Sequence, residues 1–365
     1  MNRWRWRGSV ALLAVALAFF IYPLLPNDDV INSDWPPFAT GARLIVSDPG
    51  HLYDLEAQQR AESDVTGGRV LVTVGIHGIL PFLAPAWVAL LAVPFDALGT
   101  DLGGRLWILA GLICLALGLY LATRPRPPNA ILPAFAGVPT AVMMLNAQLD
   151  GFVALGIGAA VALWSRPYLA GLALGLTLMK PQLVLPMGVA LLLARRWKVL
   201  AGWAASGLAL LLPTLALDPH WLTDWLGQTR ATVAPVSREV DVAHLGVLLP
   251  GPTVAVLVVL AVALIVYLAW RRREDFRTAA AILVIGGVMA SPHALPADLV
   301  LVAVGLAIWG KASWFEWLVL SIGALIAALA PAPLPALVAL VVFVVLLLRI
   351  SLWPKPATSG PASPR

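Results

Sequence analysis

Long apolar runs alternate with short polar interruptions from Val10 to within the last twenty residues of the chain. A run of about 18 to 20 apolar residues spans a hydrocarbon core roughly 30 Å thick at about 1.5 Å of helix rise per residue. The pattern therefore predicts an all-α bundle of roughly 10 to 13 membrane helices. Several stretches are too short or too broken to cross alone. Tyr168 to Met179 and Leu183 to Ala194 meet at Lys180-Pro181-Gln182, and Ala279 to Ala290 runs into Ser291-Pro292-His293. Ala130 to Leu145 carries Pro133 and Pro139. Irregular backbone at membrane depth is tolerated only where protein or a water-filled cavity covers it. These breaks predict a cavity floored by interrupted helices.

Basic residues between the apolar runs set the expected topology. Arg3, Arg5 and Arg7 precede the first run, no small-residue cleavage site follows Leu25, and the segment reads as an uncleaved anchor with a cytoplasmic N-terminus. Arg195-Arg196-Trp197-Lys198, Arg271-Arg272-Arg273, Lys311, Arg349 and the tail mark further cytoplasmic turns. Arg7 and Arg166 both fall inside, so the number of crossings between them is even. The candidates are Val10 to Leu25, Ile79 to Leu98, Leu106 to Thr123, Ala130 to Leu145 and Leu149 to Trp164. Treating the proline-broken Ala130 to Leu145 as re-entrant restores parity and leaves Arg124 and Arg126 outside.

Composition agrees with a membrane protein. Hydrophobic residues make up 60% of the 365, charged residues only 12%, and the mean hydropathy is +0.88, whereas a soluble domain is about one-quarter charged. One membrane domain over residues 1–353 is expected, followed by a disordered cytoplasmic tail at 354–365 rich in Pro and Ser. The pI near 9.7 reflects topology signals and not a nucleic-acid surface. Cys114 is the single cysteine, which excludes an intramolecular disulfide.

Against this background one segment is polar. Residues 27–78, read as the first extracytoplasmic loop, hold Asp28, Asp29, Asp34, Asp48, Asp54, Glu56, Glu62 and Asp64, eight of the 19 acidic residues. Asp34 precedes Trp35-Pro36-Pro37-Phe38. A carboxylate held by prolines and aromatics near the membrane surface is partly desolvated, which raises its pKa and suits it to take a proton from a hydroxyl. A solvated acidic surface is the plain alternative, and Asp28, Asp29, Asp48 and Asp54 compete for the role. Lys180 interrupts two apolar half-helices, where a cation costs about 2.5 to 3.5 kcal/mol and so faces a cavity or an anion. A phosphate is its expected partner, with snorkelling to the headgroups as the alternative.

His293 could donate to a phosphate oxygen or bond backbone at a helix break, and no second ligand at metal spacing accompanies it. In Asn146-Ala147-Gln148-Leu149-Asp150 the amides could bind sugar hydroxyls or cap a helix whose first turn holds Asp150. His77, His220 and His244 lie in or beside outer loops. Trp221, Trp225, Trp270, Trp314, Trp317 and Trp353 are expected as interfacial anchors.

Taken in order, Asp34, Ala42-Arg43-Leu44, Gly50 to Asp54, Asn146 to Asp150, Met179-Lys180-Pro181-Gln182, Arg195-Arg196-Trp197 and Ser291-Pro292-His293 resemble the GT-C glycosyltransferases of family 87. This group is related to mannosyltransferases that use polyprenol-phosphate-mannose. The likeness runs over about residues 5 to 310, with the Lys-Pro-Gln and Ser-Pro-His elements its most specific parts. It implies a helical GT-C fold, a lipid-phosphate-sugar donor, and an acidic residue of the first outer loop as catalytic base. That base falls on Asp34, with Asp48 and Asp54 in reserve. Lys180 and His293 fall near the donor phosphate, and Arg43, Gln148, Asp150 and Gln182 complete the substrate-binding candidates. The family's Gly-Gln-x-Asn reads Ala147-Gln148-Leu149-Asp150 here, and its Tyr-Pro-Pro reads Phe82-Leu83-Ala84-Pro85.

The expectation is a multi-pass enzyme of the inner, or plasma, membrane that moves a hexose, mannose by resemblance, from a polyprenyl-phosphate donor to an extracytoplasmic lipid or glycan acceptor. No metal or cofactor is implied, and the partners are the donor, the acceptor and membrane lipids, not nucleic acid. The competing class is a non-enzymatic carrier or flippase of lipid-linked sugars, which broken helices around a midplane polar site would also suit. Transporters often carry internal repeats, and none is found here.

Overall fold

The computed structural model describes residues 3–25, 30–69, 80–125, 130–240, 251–331 and 333–354. His77, His244, Asp28, Asp29, Arg126 and the tail from Lys355 lie outside the described residues. Among those described, all regular structure is helical, and five helices are long and apolar enough to span a membrane unaided.

The first, α1 (Arg3–Ile21), leads into α2 (Trp35–Ser47) and α3 (Leu55–Thr66), two helices where a loop was expected, and then into α4 (Ala86–Asp96), where a crossing was expected. Helices α2 to α4 form a cap over one end of the bundle. Pro36 and Pro37 sit in the first turn of α2, where their missing N–H donors have no intrahelical partner to lose. Asp54 starts α3 by accepting from Ala57 N at 2.8 Å, and Gly67 ends it in the left-handed region at φ 64°. Gln58 of α3 bonds both N and O of Phe82, at 2.9 and 3.2 Å.

After α5 (Thr100–Thr123) come α6 (Ile131–Phe135) and α7 (Val138–Leu145), then α8 (Asp150–Ala162). The fifth pass, α9 (Pro167–Leu174), tightens into a 3-10 turn at Gly175–Met179, and a second such turn at Pro181–Val184 opens α10 (Leu185–Leu193). The chain continues through α11 (Trp197–Leu217), α12 (Trp221–Val240), α13 (Gly251–Arg271) and α14 (Phe276–Met289). A 3-10 turn at Pro296–Asp298 introduces α15 (Leu299–Trp309), and α16 (Trp314–Leu329) and α17 (Leu334–Ser351) complete the bundle. The half-helices around Lys180 and the stop of α14 at Ser291-Pro292-His293 are as the apolar pattern predicts.

The topology near the N-terminus differs from the expected one, and the packing of α5 on α8 shows why. A Cβ on Gly151 would lie 2.0 Å from Gly111 O, and one on Gly158 would lie 2.0 Å from Gly118 O. Bare backbones therefore touch at both levels, the close approach that small residues permit between membrane helices. Because Gly111 meets Gly151 and Gly118 meets Gly158, α5 and α8 run in the same direction. The α6–α7 segment between them must return through the bundle, so it is a full pass broken at Ala136-Gly137 and not a re-entrant hairpin.

Of the expected crossing Ile79 to Leu98, the described part, Leu80 to Leu98, does not cross. Both ends of α4 are tied to the cap, through Tyr53 OH to Ala84 O at 2.9 Å and Arg43 Nε to Asp96 Oδ2 at 3.2 Å. Just beyond α4, Trp35 Nε1 donates to Thr100 O at 2.9 Å. Parity from Arg7 to Arg166 is met by α1, α5, α6–α7 and α8. Arg124 consequently moves to the other end of the bundle. Arg277 donates to the Ala122 carbonyl at 2.9 Å and to the Arg124 carbonyl, which puts Arg124 beside the Arg271 to Arg273 turn. All the basic turns then share one end, as the positive-inside tendency favours.

Of the tryptophans expected at the interface, Trp221 is internal instead and Trp225 is half-buried. Trp221 is fully buried and edge-on to Trp87, with ring centroids 5.4 Å apart, and Trp225 Nε1 donates to Leu83 O at 2.8 Å. Both fasten the start of α12 to the cap. Trp314 and Trp270 are exposed, as anchors should be.

Candidate active site

At the capped end several helices begin or stop below the surface, and their termini converge. Asp34 is the residue before α2, Asp150 the first residue of α8, Asp298 the residue before α15, and Lys180 the break between the two 3-10 turns. A helix N-terminus carries about half a unit of positive charge, so a carboxylate there is favourably placed. All three carboxylates of the cluster stand at such positions.

Asp34 is fixed on two sides. Its backbone N donates to Asn146 O at 3.2 Å, and Gln148 Nε2 donates to its Oδ2. Trp35 beside it is fully buried against Trp107 at 5.6 Å between ring centroids, and Gly104 leaves room for that indole, since a Cβ there would lie 2.6 Å from Trp35 Cδ1. Burial lifts the Asp34 carboxyl from the usual 3.8 to about 6; the Lys180 ammonium opposes the rise, Asp298 adds to it and His293 opposes it. The charges of three other site residues thus reach this carboxylate.

Lys180 does not present a free ammonium. Its Nζ lies 2.9 Å from Asp150 Oδ2 and 2.5 Å from Asp298 Oδ1, and all three residues are buried. The other oxygen of Asp298 accepts from Leu295 N at 2.6 Å, which ties the triad to the segment that follows His293. His293 is half-buried, and its backbone exchanges hydrogen bonds with the Ser291 hydroxyl, which donates to His293 O and accepts from His293 N at 3.2 Å. Trp87 Nε1 donates to Leu178 O at 3.1 Å and so clamps the cap onto the Lys180 break. Gln182, two residues on, is half-buried in the second 3-10 turn.

The remaining candidates stand apart. Arg43 is nine residues along α2 from Asp34, roughly 13 Å of helix, and it pairs with Asp96. Asp48 is exposed and bonded to His51 Nδ1 at 2.9 Å, while Asp54 caps α3. Asp298 was not singled out from the sequence. A signal for it exists: it is the acid immediately before the apolar run Leu299 to Trp309, at a depth where an anion needs a partner, and Lys180 is the complementary lone cation.

A half-buried carboxylate lifted toward neutrality and backed by a fixed ion triad can accept a proton from a hydroxyl. Comparison with known proteins gives the family. The model of glycosyltransferase family 87 matches residues 82–292. The match takes in Gln148, Asp150 and Lys180 and ends one residue before His293, leaving Asp34 and Asp298 to the flanking chain. No curated protein matches, and no solved structure matches. With more than half of its length under that family model, this membrane-helical chain belongs to glycosyltransferase family 87.

Proposed function

We propose that the protein moves a hexose, with mannose as the sugar, from a polyprenyl-phosphate carrier to a hydroxyl of a lipid or glycan acceptor on the extracytoplasmic face of the plasma membrane. Asp34 is the general base. The observation that carries this reading is the setting of Asp34, held by Gln148 and raised to about 6, near the pH at which a base combines availability with driving force.

In the transfer the acceptor oxygen attacks the anomeric carbon as its proton passes to Asp34, and the bond from that carbon to the phosphate oxygen breaks. The electron pair leaves with polyprenyl phosphate, which becomes a monoester with one more negative charge. A phosphate monoester has a second pKa near 6, so it departs without a dedicated acid. The sugar ends on the face opposite the one it left, with inversion at the anomeric carbon. Asp34 lies on the capped end, away from the basic turns, which supports an outward-facing site by the positive-inside tendency.

The role of Lys180 shifts from the sequence expectation. Two carboxylates already neutralise its ammonium, so in this proposal it holds Asp150 and Asp298, and through them the floor beneath Asp34. His293 is then the residue for the leaving phosphate, and Gln182 contacts the donor next to it. Gln148 keeps Asp34 aimed at the acceptor, and Arg43 braces the cap through Asp96.

Purified protein in liposomes, supplied with labelled polyprenyl-phosphate-mannose and membrane acceptors, tests the assignment. Asp34→Asn is expected to lower transfer by about 10²- to 10⁴-fold. Wild-type kcat/KM should rise with pH through about 6 and then level off, because the base must be ionised. Equal transfer by the variant would remove Asp34 as the base. Absence of transfer from any lipid-phosphate sugar by folded wild type would favour the carrier reading.

A further inference from the structure

A second feature lies at the opposite end of the bundle. Between α8, α10, α13 and α14 is a cavity of about 1230 Å³, larger than the roughly 300 to 1,000 Å³ typical of small-ligand pockets. Its walls are apolar, from residues such as Ile157, Val262 and Leu283, and its only charged lining residues among those described are Arg196 and Arg273. Trp164, Tyr267 and Trp270 lie beside them, the aromatic types that mark the level of lipid headgroups.

Both arginines are presented by stacking. The Arg196 guanidinium lies 5.8 Å from the Trp164 ring centroid, and the Arg273 guanidinium lies 4.6 Å from that of Trp270. Among the described residues neither takes a carboxylate partner. Three other basic residues at this end are engaged: Lys311 with Asp275, Arg349 with Glu316, Arg272 with the Ser351 and Trp353 carbonyls. Along α14 the lining runs from Phe276 to Val284, about 12 Å of helix, close to the roughly 15 Å acyl depth of one leaflet. Two uncompensated cations thus stand at headgroup level above an apolar space one leaflet deep.

We infer that this cavity is a binding site for an anionic diacyl phospholipid, its phosphate between Arg196 and Arg273 and its chains along α10, α13 and α14. Basic pockets between membrane helices select anionic headgroups in this way. The site is separate from the sugar donor's: a phosphate held here is at the far end of the bundle from Asp34, and the deep end of the cavity offers no cation.

The test is native mass spectrometry of the full-length, delipidated protein in neutral detergent, titrated with palmitoyl-oleoyl phosphatidylglycerol or the matching phosphatidylcholine. Phosphatidylglycerol is expected to bind roughly thirtyfold more tightly, the combined effect of two headgroup-level cations. The double variant Arg196→Gln/Arg273→Gln should bind both lipids equally. Arg195→Gln/Lys198→Gln, which removes the same charge from outside the cavity, should keep the preference. Equal binding of the two lipids by wild type would overturn the inference, as would a preference that survives in the Arg196/Arg273 variant. One-for-one displacement of phosphatidylglycerol by polyprenyl phosphate would also overturn it and give the cavity to the donor's chain.

Discussion

Lys180 and Lys311 make nearly the same contact at opposite ends of the protein, and the contact does different work at each. Lys311 Nζ lies 2.8 Å from Asp275, with the two side chains 26% and 31% exposed. Lys180 Nζ lies 2.9 Å from Asp150 and 2.5 Å from Asp298, whose side chains are 0% and 2% exposed. Water screens the first pair, so it adds little to stability. The second group has given up its hydration and stands only because its charges answer one another. At the basic end charge decorates a packed bundle, whereas at the capped end the packing is arranged around charge.

The sharpest way to break this comparison is to remove both lysines in turn. Lys180→Met strands two buried carboxylates and should cost about 3 to 5 kcal/mol, measured by denaturant or thermal unfolding in detergent. Lys311→Met should stay within about 1 kcal/mol. Replacing the whole buried group, with Lys180→Met, Asp150→Asn and Asp298→Asn together, should recover much of the loss, because no unpaired charge remains. Equal losses for the two single variants would mean that the triad is hydrated.

The next effect in size concerns backbone contact. Gly151→Ala would drive a methyl group to 2.0 Å from Gly111 O, an atom of a rigid helix that cannot step aside. A loss of about 1 to 3 kcal/mol is expected, with lowered transfer, because α8 carries Asp150 into the site. Gly50→Ala in the cap, where nothing lies within 4 Å, should leave stability unchanged. Similar behaviour of the two would show that α5 and α8 separate without penalty.

Two carboxylates extend the comparison to pH. Burial raises Asp275, but hydrogen bonds from Lys311 and Thr278 outweigh it and hold its carboxyl below the usual range. Asp34 is raised, from 3.8 to about 6. For Asp275 the ionised form is favoured in the fold, so its contribution is present above the unfolded pKa and lost as pH falls through the folded one. For Asp34 the sign reverses: its contribution is full below pH 3.8, falls as pH rises to about 6, and is absent above. At pH 7.5 Asp34→Asn should therefore melt higher than wild type while failing in transfer, and Asp275→Asn should melt lower. A lower melting temperature for Asp34→Asn would show that its ionised carboxylate is held by bonds that stabilise the fold.

Much of this architecture was legible in the apolar pattern. The breaks at Lys180 and at Ser291-Pro292-His293 follow from run length and proline, and they point to the candidate site because only interrupted helices end inside a bundle. The N-terminal topology was not legible, since Ile79 to Leu98 is as apolar as a true pass. What keeps that segment in the cap is long-range: Tyr53 on Ala84, Arg43 on Asp96, Trp35 on Thr100. Asp34 stood out through its proline and aromatic neighbours. Asp298 did not, because its meaning depends on an ammonium 118 positions away in the chain.

The smallest effect falls on the turn next to Asn146 and Gln148, which bond Asp34. Ala147 has φ 51°, in the left-handed region where a Cβ crowds the following carbonyl, at a cost of roughly 1 kcal/mol or more. The strain is held by the surroundings, since Trp107 Nε1 donates to Ala147 O at 2.9 Å and Ala147 N donates to Met144 O at 3.0 Å. The family motif that this segment resembles has glycine at the position, a residue that adopts such a backbone freely. Ala147→Gly should thus relieve the strain at the price of a more flexible unfolded chain, for a net gain of up to about 1 kcal/mol. Its effect on transfer separates two ideas about the capped end. If the strained turn itself aims Gln148 at Asp34, the glycine variant should be more stable yet slower, with kcat lowered and KM unchanged. If the Trp107 and Asn146 contacts suffice to hold the turn, stability should rise with kcat intact.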